Sequence, residues 1–215
     1  MQTVIEVQVP RTARCVVVGP ASTAGSLWYA MHGYGQLAES FARACLPLAG
    51  DDRALVVPEA LSRFYLRSGA GPVGASWMTR DGRESEIRDY VGYLDAVHAR
   101  LAGSDPARPV HVLGFSQGAA TAFRWAVLGT VRPRRLVLWG GGVPPDLDTD
   151  RVGERLRPVE IVLVNGREDP HVTDASVERD VERLAATGLT ARALWFEGGH
   201  RLDHAVLHDL AEWPQ

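Results

Sequence analysis

Short apolar runs alternate along the chain with longer stretches in which apolar positions recur every three or four residues. That is the pattern of an α/β sheet protein. It predicts strands over 3–9, 14–18, 26–31, 53–57, 109–115, 134–139, 159–164 and 191–196. Val110-His111-Val112-Leu113, Leu136-Val137-Leu138-Trp139 and Ile161-Val162-Leu163-Val164 are nearly unbroken β formers, as parallel strands buried on both faces require. Val4, Ile5, Val7 and Val9 lie in a strand-like alternation that ends at Pro10, and a short gap separates it from 14–18. The two are expected to form an antiparallel hairpin at the sheet edge.

From Glu84, the positions Ile87, Tyr90, Val91, Leu94, Val97 and Leu101 make one apolar stripe, opposite a solvated face with Glu86, Arg88, Asp89, Asp95 and Arg100. Further helices are predicted at 36–48, closed by Pro47 and Gly50, at 117–128, at 173–187, closed by Gly188, and at 202–212. Two segments break the alternation. Residues 58–83 are rich in Gly and carry the aromatics Phe64, Tyr65 and Trp77, while 140–158 open with Gly140-Gly141-Gly142. Both follow strand C-termini, where α/β proteins place ligand-contacting loops.

Composition narrows the class. The 215 residues suit one domain over 1–215, and 46% apolar types exclude a disordered chain. All 23 basic residues are Arg, against 26 acidic ones and with no compact basic tract, so no nucleic-acid partner is expected. Cys15 and Cys45 form no Cys-x-x-Cys unit and are expected to be buried free thiols. With neither a signal-peptide pattern nor a membrane-length apolar run, the expectation is a cytoplasmic protein without integral membrane association.

The chemistry concentrates at Gly114-Phe115-Ser116-Gln117-Gly118, a Gly-x-Ser-x-Gly placed after a strong strand and before a small-residue helix. A sharp strand-to-helix turn exposes the Ser116 hydroxyl, and Gly114 and Gly118 permit close packing on either side. The helix N-terminus supplies positive potential where an oxyanion would form. A serine nucleophile needs a base and an orienting acid, here expected in the order Ser, acid, His. The strand 159–164 leads into Asn165-Gly166-Arg167-Glu168-Asp169-Pro170, which makes Asp169 the acid, with Glu168 the rival and Asp174 a weaker candidate inside the next helix. The last strand leads into Glu197-Gly198-Gly199-His200, which makes His200 the base. A second glycine loop, Met31-His32-Gly33-Tyr34-Gly35-Gln36, can present a backbone N–H to an acyl oxygen together with the Gln117 amide. Tyr34 is the expected donor, Gly33 the alternative, and His32 a structural pin for the loop. Phe64, Tyr65, Trp77 and Met78 are candidate substrate contacts, with residues 140–145 as an opposing wall.

These motifs resemble the phospholipase/carboxylesterase family of α/β-hydrolases, which includes acyl-protein thioesterases. The likeness spans about residues 12–213 and rests on His32-Gly33-Tyr34-Gly35, Gly114-Phe115-Ser116-Gln117-Gly118, the Asp169 turn and Gly199-His200. Gly74-Ala75-Ser76-Trp77-Met78 before the helix at Glu84 is similar to small bacterial esterases of that group. The resemblance implies an α/β-hydrolase fold with a mostly parallel sheet of about eight strands, helices on both faces and little or no lid. It also implies Ser116, Asp169 and His200 as a triad, oxyanion amides at Tyr34 and Gln117, and no cofactor or metal. A carboxylic-ester hydrolase acting on small or short-chain esters is expected, as monomer or homodimer. The adjacent Glu168 and the Pro170-His171 pair depart from the family pattern at the acid.

Rival functions fit less well. His200 and His204 stand four apart beside Asp203, but no Glu completes His-Glu-x-x-His, and no Gly-x-Gly-x-x-Gly follows the first parallel strand. A thioesterase or lysophospholipase would share the triad. A non-catalytic binding protein on the same fold would have no use for both glycine loops.

Overall fold

The computed structural model describes residues 2–101 and 107–213. Its elements run β1 (Cys15–Val18), β2 (Ser26–Met31), α1 (Ala38–Ala44), β3 (Arg53–Pro58), β4 (Ser62–Tyr65), β5 (Val73–Ser76) and α2 (Arg83–Leu101). After these come β6 (Val110–Phe115), α3 (Gln117–Leu128), β7 (Arg135–Trp139), α4 (Thr149–Leu156), β8 (Glu160–Gly166), α5 (Asp174–Ala185), β9 (Ala191–Phe196) and α6 (His204–Glu212). Seven strands form the main sheet in the order β1-β3-β2-β6-β7-β8-β9, parallel throughout except for the edge strand β1.

Every residue of β2, β6 and β7 is buried, which is why these strands read as continuous apolar runs. One sheet face packs on α2, α3, α4 and α5 through residues such as Tyr90, Phe123, Leu156 and Val177, the other on α1 and α6 through Phe41, Leu207 and Leu210. The α/β-hydrolase fold follows from this arrangement, with parallel strands delivering their C-terminal loops to one end.

The edge differs from expectation. Residues 3–9 form no strand and the expected edge hairpin is absent; β1 is the edge strand of the seven and pairs antiparallel with β3, with Cys15 opposite Pro58. Val4, Ile5, Val7 and Val9 are exposed, while Glu6 bonds to Ser85 and Arg88 on α2. Alternation favours extended backbone but does not choose a partner. The helix predicted over 36–48 stops at Ala44, and Pro47 lies in a separate 3-10 turn, Leu46–Leu48, because proline offers no N–H to continue the α-helical ladder. The helix predicted from 202 begins at His204, since Asp203 caps it by accepting from the Ala205 and Val206 amides.

Both irregular segments contain elements. Within 58–83, β4 and β5 form a hairpin. Within 140–158, α4 starts at the cap Asp148; its eight residues hold only Val152 and Leu156 as large apolar positions, too short a stretch for the pattern to repeat. Cys45 is fully buried, whereas Cys15 is only half-buried, and burial pushes the Cys15 thiol up to about 12. Among the described residues no helix is long and apolar enough to cross a membrane.

Candidate active site

The turn from β6 into α3 forces Ser116 to φ 56° and ψ −117°, and it is the one non-glycine residue with positive φ among those described. Close packing imposes that geometry. A Cβ on Gly114 would lie 2.1 Å from the Gly118 oxygen, and one on Gly118 would lie 2.2 Å from the Met31 oxygen. The Ser116 N–H donates to the Trp139 carbonyl at 2.8 Å, anchoring the turn to the neighbouring strand.

His200, on the loop after β9, places Nε2 2.9 Å from Ser116 Oγ. Its Nδ1 lies 2.6 Å from Asp169 Oδ2 on the loop after β8. The three residues the motif order singled out therefore meet at the C-terminal edge of the sheet. Asp169 is buried, with its second oxygen accepting the His171 N–H at 2.9 Å, so both carboxylate oxygens have a partner. Glu168 is exposed and Asp174 begins α5, and among the described residues His200 is hydrogen-bonded to Asp169 and Ser116 and to neither of these. The imidazole of His200 packs on Phe115 and stands edge-on to His171 at 4.9 Å.

Three further glycines make this convergence sterically feasible. A Cβ on Gly140 would press on the His200 ring and Asp169 Oδ2, one on Gly141 would lie 2.5 Å from the Ser116 oxygen, and one on Gly166 2.3 Å from the Gly198 oxygen. Sequence reading flagged 140–142 as a loop but not as a backing for the triad. Such approaches join segments remote in the chain, and no local signal marks them.

The loop after β2 faces the same point. His32 is fully buried: its Nε2 accepts the Ala60 N–H at 3.0 Å, which places the proton on Nδ1, 2.8 Å from the Gly33 oxygen. Burial holds its pKa below the ordinary imidazole value. The Gly33 N–H donates to Gln36 Oε1 at 2.8 Å and the Gly35 N–H to the Ala75 oxygen at 2.9 Å. Among the described residues the Tyr34 N–H has no such acceptor. Gln117, as the first residue of α3, has an N–H without an intrahelical partner.

The expected aromatic contacts divide. Trp77 is 2% exposed and donates from Nε1 to the His32 oxygen at 2.8 Å, so it is a strut beneath the loop rather than an exposed pocket wall. Its size and polar N–H suit both roles, and only burial separates them. Met78 is half-buried beside Arg83 and Arg124. Phe64 lies against the exposed Tyr34 ring at 5.1 Å, and Tyr65 is exposed. The β4–β5 hairpin is docked on the glycine loop, because the Ala75 N–H also donates to the Gln36 oxygen.

The fold recurs in other proteins. Solved structures with the same fold include an acyl-protein thioesterase 2 from Zea mays, 20% identical with TM-score 0.73, covering 94% of this chain and 97% of that one. Esterase PE8 is also 20% identical, with TM-score 0.70 and the same coverage. The Bacillus cereus carboxylesterase is 16% identical with TM-score 0.69, covering 94% and 92%. No curated protein matches the sequence. The serine hydrolase (FSH1) family matches residues 29–204, a span that holds Ser116, Asp169 and His200 within the α/β-hydrolase fold. The chain belongs to the serine hydrolase (FSH1) family.

Proposed function

We propose that this serine hydrolase is a single-domain carboxylic-ester hydrolase of the phospholipase/carboxylesterase type, acting on small or short-chain acyl esters. The observation that carries this is the unbroken line of contacts from Ser116 Oγ through His200 to Asp169 Oδ2. His200 Nε2 takes the Ser116 proton as Oγ bonds to the acyl carbon. Asp169 holds the Nδ1–H tautomer and stabilises the imidazolium. The Tyr34 and Gln117 amides receive the oxyanion. As the tetrahedral intermediate collapses, His200 returns the proton to the leaving alcohol, whose bond to the acyl carbon breaks. Water, losing a proton to His200, then attacks the acyl carbon, and His200 passes that proton to Ser116 Oγ as the Oγ–acyl bond breaks and the acid leaves. Phe64, Tyr65 and Met78 border the site on the hairpin side.

Likeness to the Zea mays acyl-protein thioesterase 2 supports a second reading, hydrolysis of thioesters by the same steps. Its leaving group is a thiol. The test is fluorophosphonate labelling and hydrolysis of matched oxygen and sulfur esters by wild type and Ser116→Ala. Labelling confined to wild type, with turnover lost in a folded Ser116→Ala, is expected. Undiminished turnover in that variant sinks the proposal.

A further inference from the structure

Beside the triad, behind the Gly140–Gly142 turn, lies a cavity of about 140 Å³ bordered by Asn165, His171, Val172, Ser176, Val177 and Asp180. A single water needs only about 15 Å³ of such space. The cavity adjoins the catalytic centre on two sides: His171 stands edge-on to the His200 ring, and a Cβ on Gly140 would touch that ring and Asp169.

Alternate residues of a strand share a face, so Asn165 follows Leu163 toward the α5 side of the sheet at the C-terminal end of β8. Asn165 is 2% exposed, yet among the described residues its carboxamide has no hydrogen-bond partner. A carboxamide at a cavity wall offers both a donor and an acceptor to whatever enters. Besides Asn165 and the His171 ring, which stands edge-on to His200, the polar walls are engaged. Ser176 Oγ donates to the Thr173 oxygen and accepts the Thr173 N–H. Asp180 Oδ2 accepts the Val143 N–H at 3.1 Å, and Arg183 donates to the Val143 and Pro144 oxygens, which pins the turn to α5.

We propose that this cavity is a specificity subsite for a short acyl group bearing an uncharged hydrogen-bonding function, a hydroxyl above all, and that Asn165 is the residue that reads it. The inference rests on the ester-hydrolase function above and adds its substrate class. An anionic acyl terminus would enter beside the Asp180 carboxylate and be repelled. A purely apolar one would leave the Asn165 carboxamide without a partner. A hydroxyl satisfies the carboxamide as donor or acceptor and leaves the Asp180–Val143 contact in place.

The test compares kcat/KM for p-nitrophenyl 3-hydroxybutanoate and p-nitrophenyl 3-methylbutanoate, which differ by a hydroxyl in place of a methyl. Wild type is expected to favour the hydroxy ester by about tenfold or more. Asn165→Leu should lower that ratio by a similar factor, and intrinsic ester reactivity cancels in the comparison. An unchanged ratio in Asn165→Leu overturns the proposal. Should Asn165→Leu fail to fold, Asn165→Asp keeps the side-chain size and should gain turnover of the cationic 3-aminobutanoate ester relative to wild type; no gain counts against the subsite. Wild type that labels with fluorophosphonate but does not distinguish the two esters defeats this inference alone. Wild type that does not label defeats the hydrolase reading with it.

Discussion

The side chain of Gln117 donates from Nε2 to the Met78 oxygen at 2.8 Å, tying the residue after the candidate nucleophile to a loop 39 positions earlier in the chain. The same side chain donates to Ser76 Oγ at 3.1 Å and accepts the Trp77 N–H at 3.1 Å. Gln117 was expected to act through its backbone amide; it also clamps residues 76–78. Gln117→Ala keeps the amide and removes the clamp. At about 1 kcal/mol per neutral hydrogen bond, stability should fall by roughly 1–3 kcal/mol, and kcat/KM for a small ester by about tenfold. Urea denaturation and steady-state kinetics check both. A variant as stable and active as wild type would show the clamp to be incidental.

Gly118 is the tightest glycine against β2, with a Cβ position 2.2 Å from the backbone oxygen of Met31. No side-chain rearrangement relieves a clash with backbone. Gly118→Ala is expected to cost about 3 kcal/mol or more, or to prevent folding. The control is Gly92→Ala on α2, where nothing lies within 4 Å of the added methyl. That control should be slightly more stable than wild type in a thermal melt.

The conformation of Ser116 carries a stability signature separate from chemistry. Both Ser116→Ala and Ser116→Gly lose the hydroxyl and its contact with His200, but only alanine retains a Cβ at φ 56°. Residues held in such regions cost roughly 1–3 kcal/mol. Part of the gain from glycine is offset by its larger unfolded-state entropy. Ser116→Gly should therefore be the more stable by about 1 kcal/mol, with both variants inactive. Equal melting temperatures would argue that the turn is relaxed in solution.

Two adjacent carboxylates offer a sharp contrast. Asp169→Asn keeps the shape but lets the amide stabilise the wrong His200 tautomer, and kcat should drop on the order of 10³- to 10⁴-fold. Glu168→Gln, at an exposed position and outside the hydrogen bonds of His200, should leave kcat within about twofold. A larger loss from Glu168→Gln than from Asp169→Asn would exchange their roles.

Acid sensitivity should trace in part to His111. It is 2% exposed on β6 and stacks on Trp28 at 4.6 Å, and burial, reinforced by Arg135 and Arg134, pushes its pKa down to about 4. The unfolded chain binds a proton here near pH 6.5 while the folded one resists until about pH 4. Stability is therefore lost as pH falls through that window, by roughly 3 kcal/mol from this one group. Burial of His32 acts in the same direction. His111→Phe keeps an aromatic ring against Trp28 and should flatten the pH dependence of urea stability between pH 6.5 and 4. An unaltered slope would assign the acid limb elsewhere.

The legible features were those written in local pattern. Continuous apolar runs marked β6, β7 and β8 because strands buried on both faces need no polar alternation. Gly114-Phe115-Ser116-Gln117-Gly118 marked the elbow, whose backbone demands act within five residues. The same logic misled at residues 3–9, where a strand-like alternation finds no ladder to join. It also misled at Trp77, whose ring suits a pocket wall and a core strut equally.

By itself, the sequence determined the layered α/β architecture, the strained serine turn and the short list of partners for it, because periodicity and glycine spacing are local constraints on backbone and burial. Only the tertiary structure decided that Asp169 rather than Glu168 faces His200, that Gly140 and Gly141 back the site, that Gln117 holds the 76–78 loop and that Asn165 opens on a cavity. Each of these depends on which remote segments the sheet order brings within a few ångströms. Contacts of that kind are set by packing across the whole fold, and no window of neighbouring residues contains them.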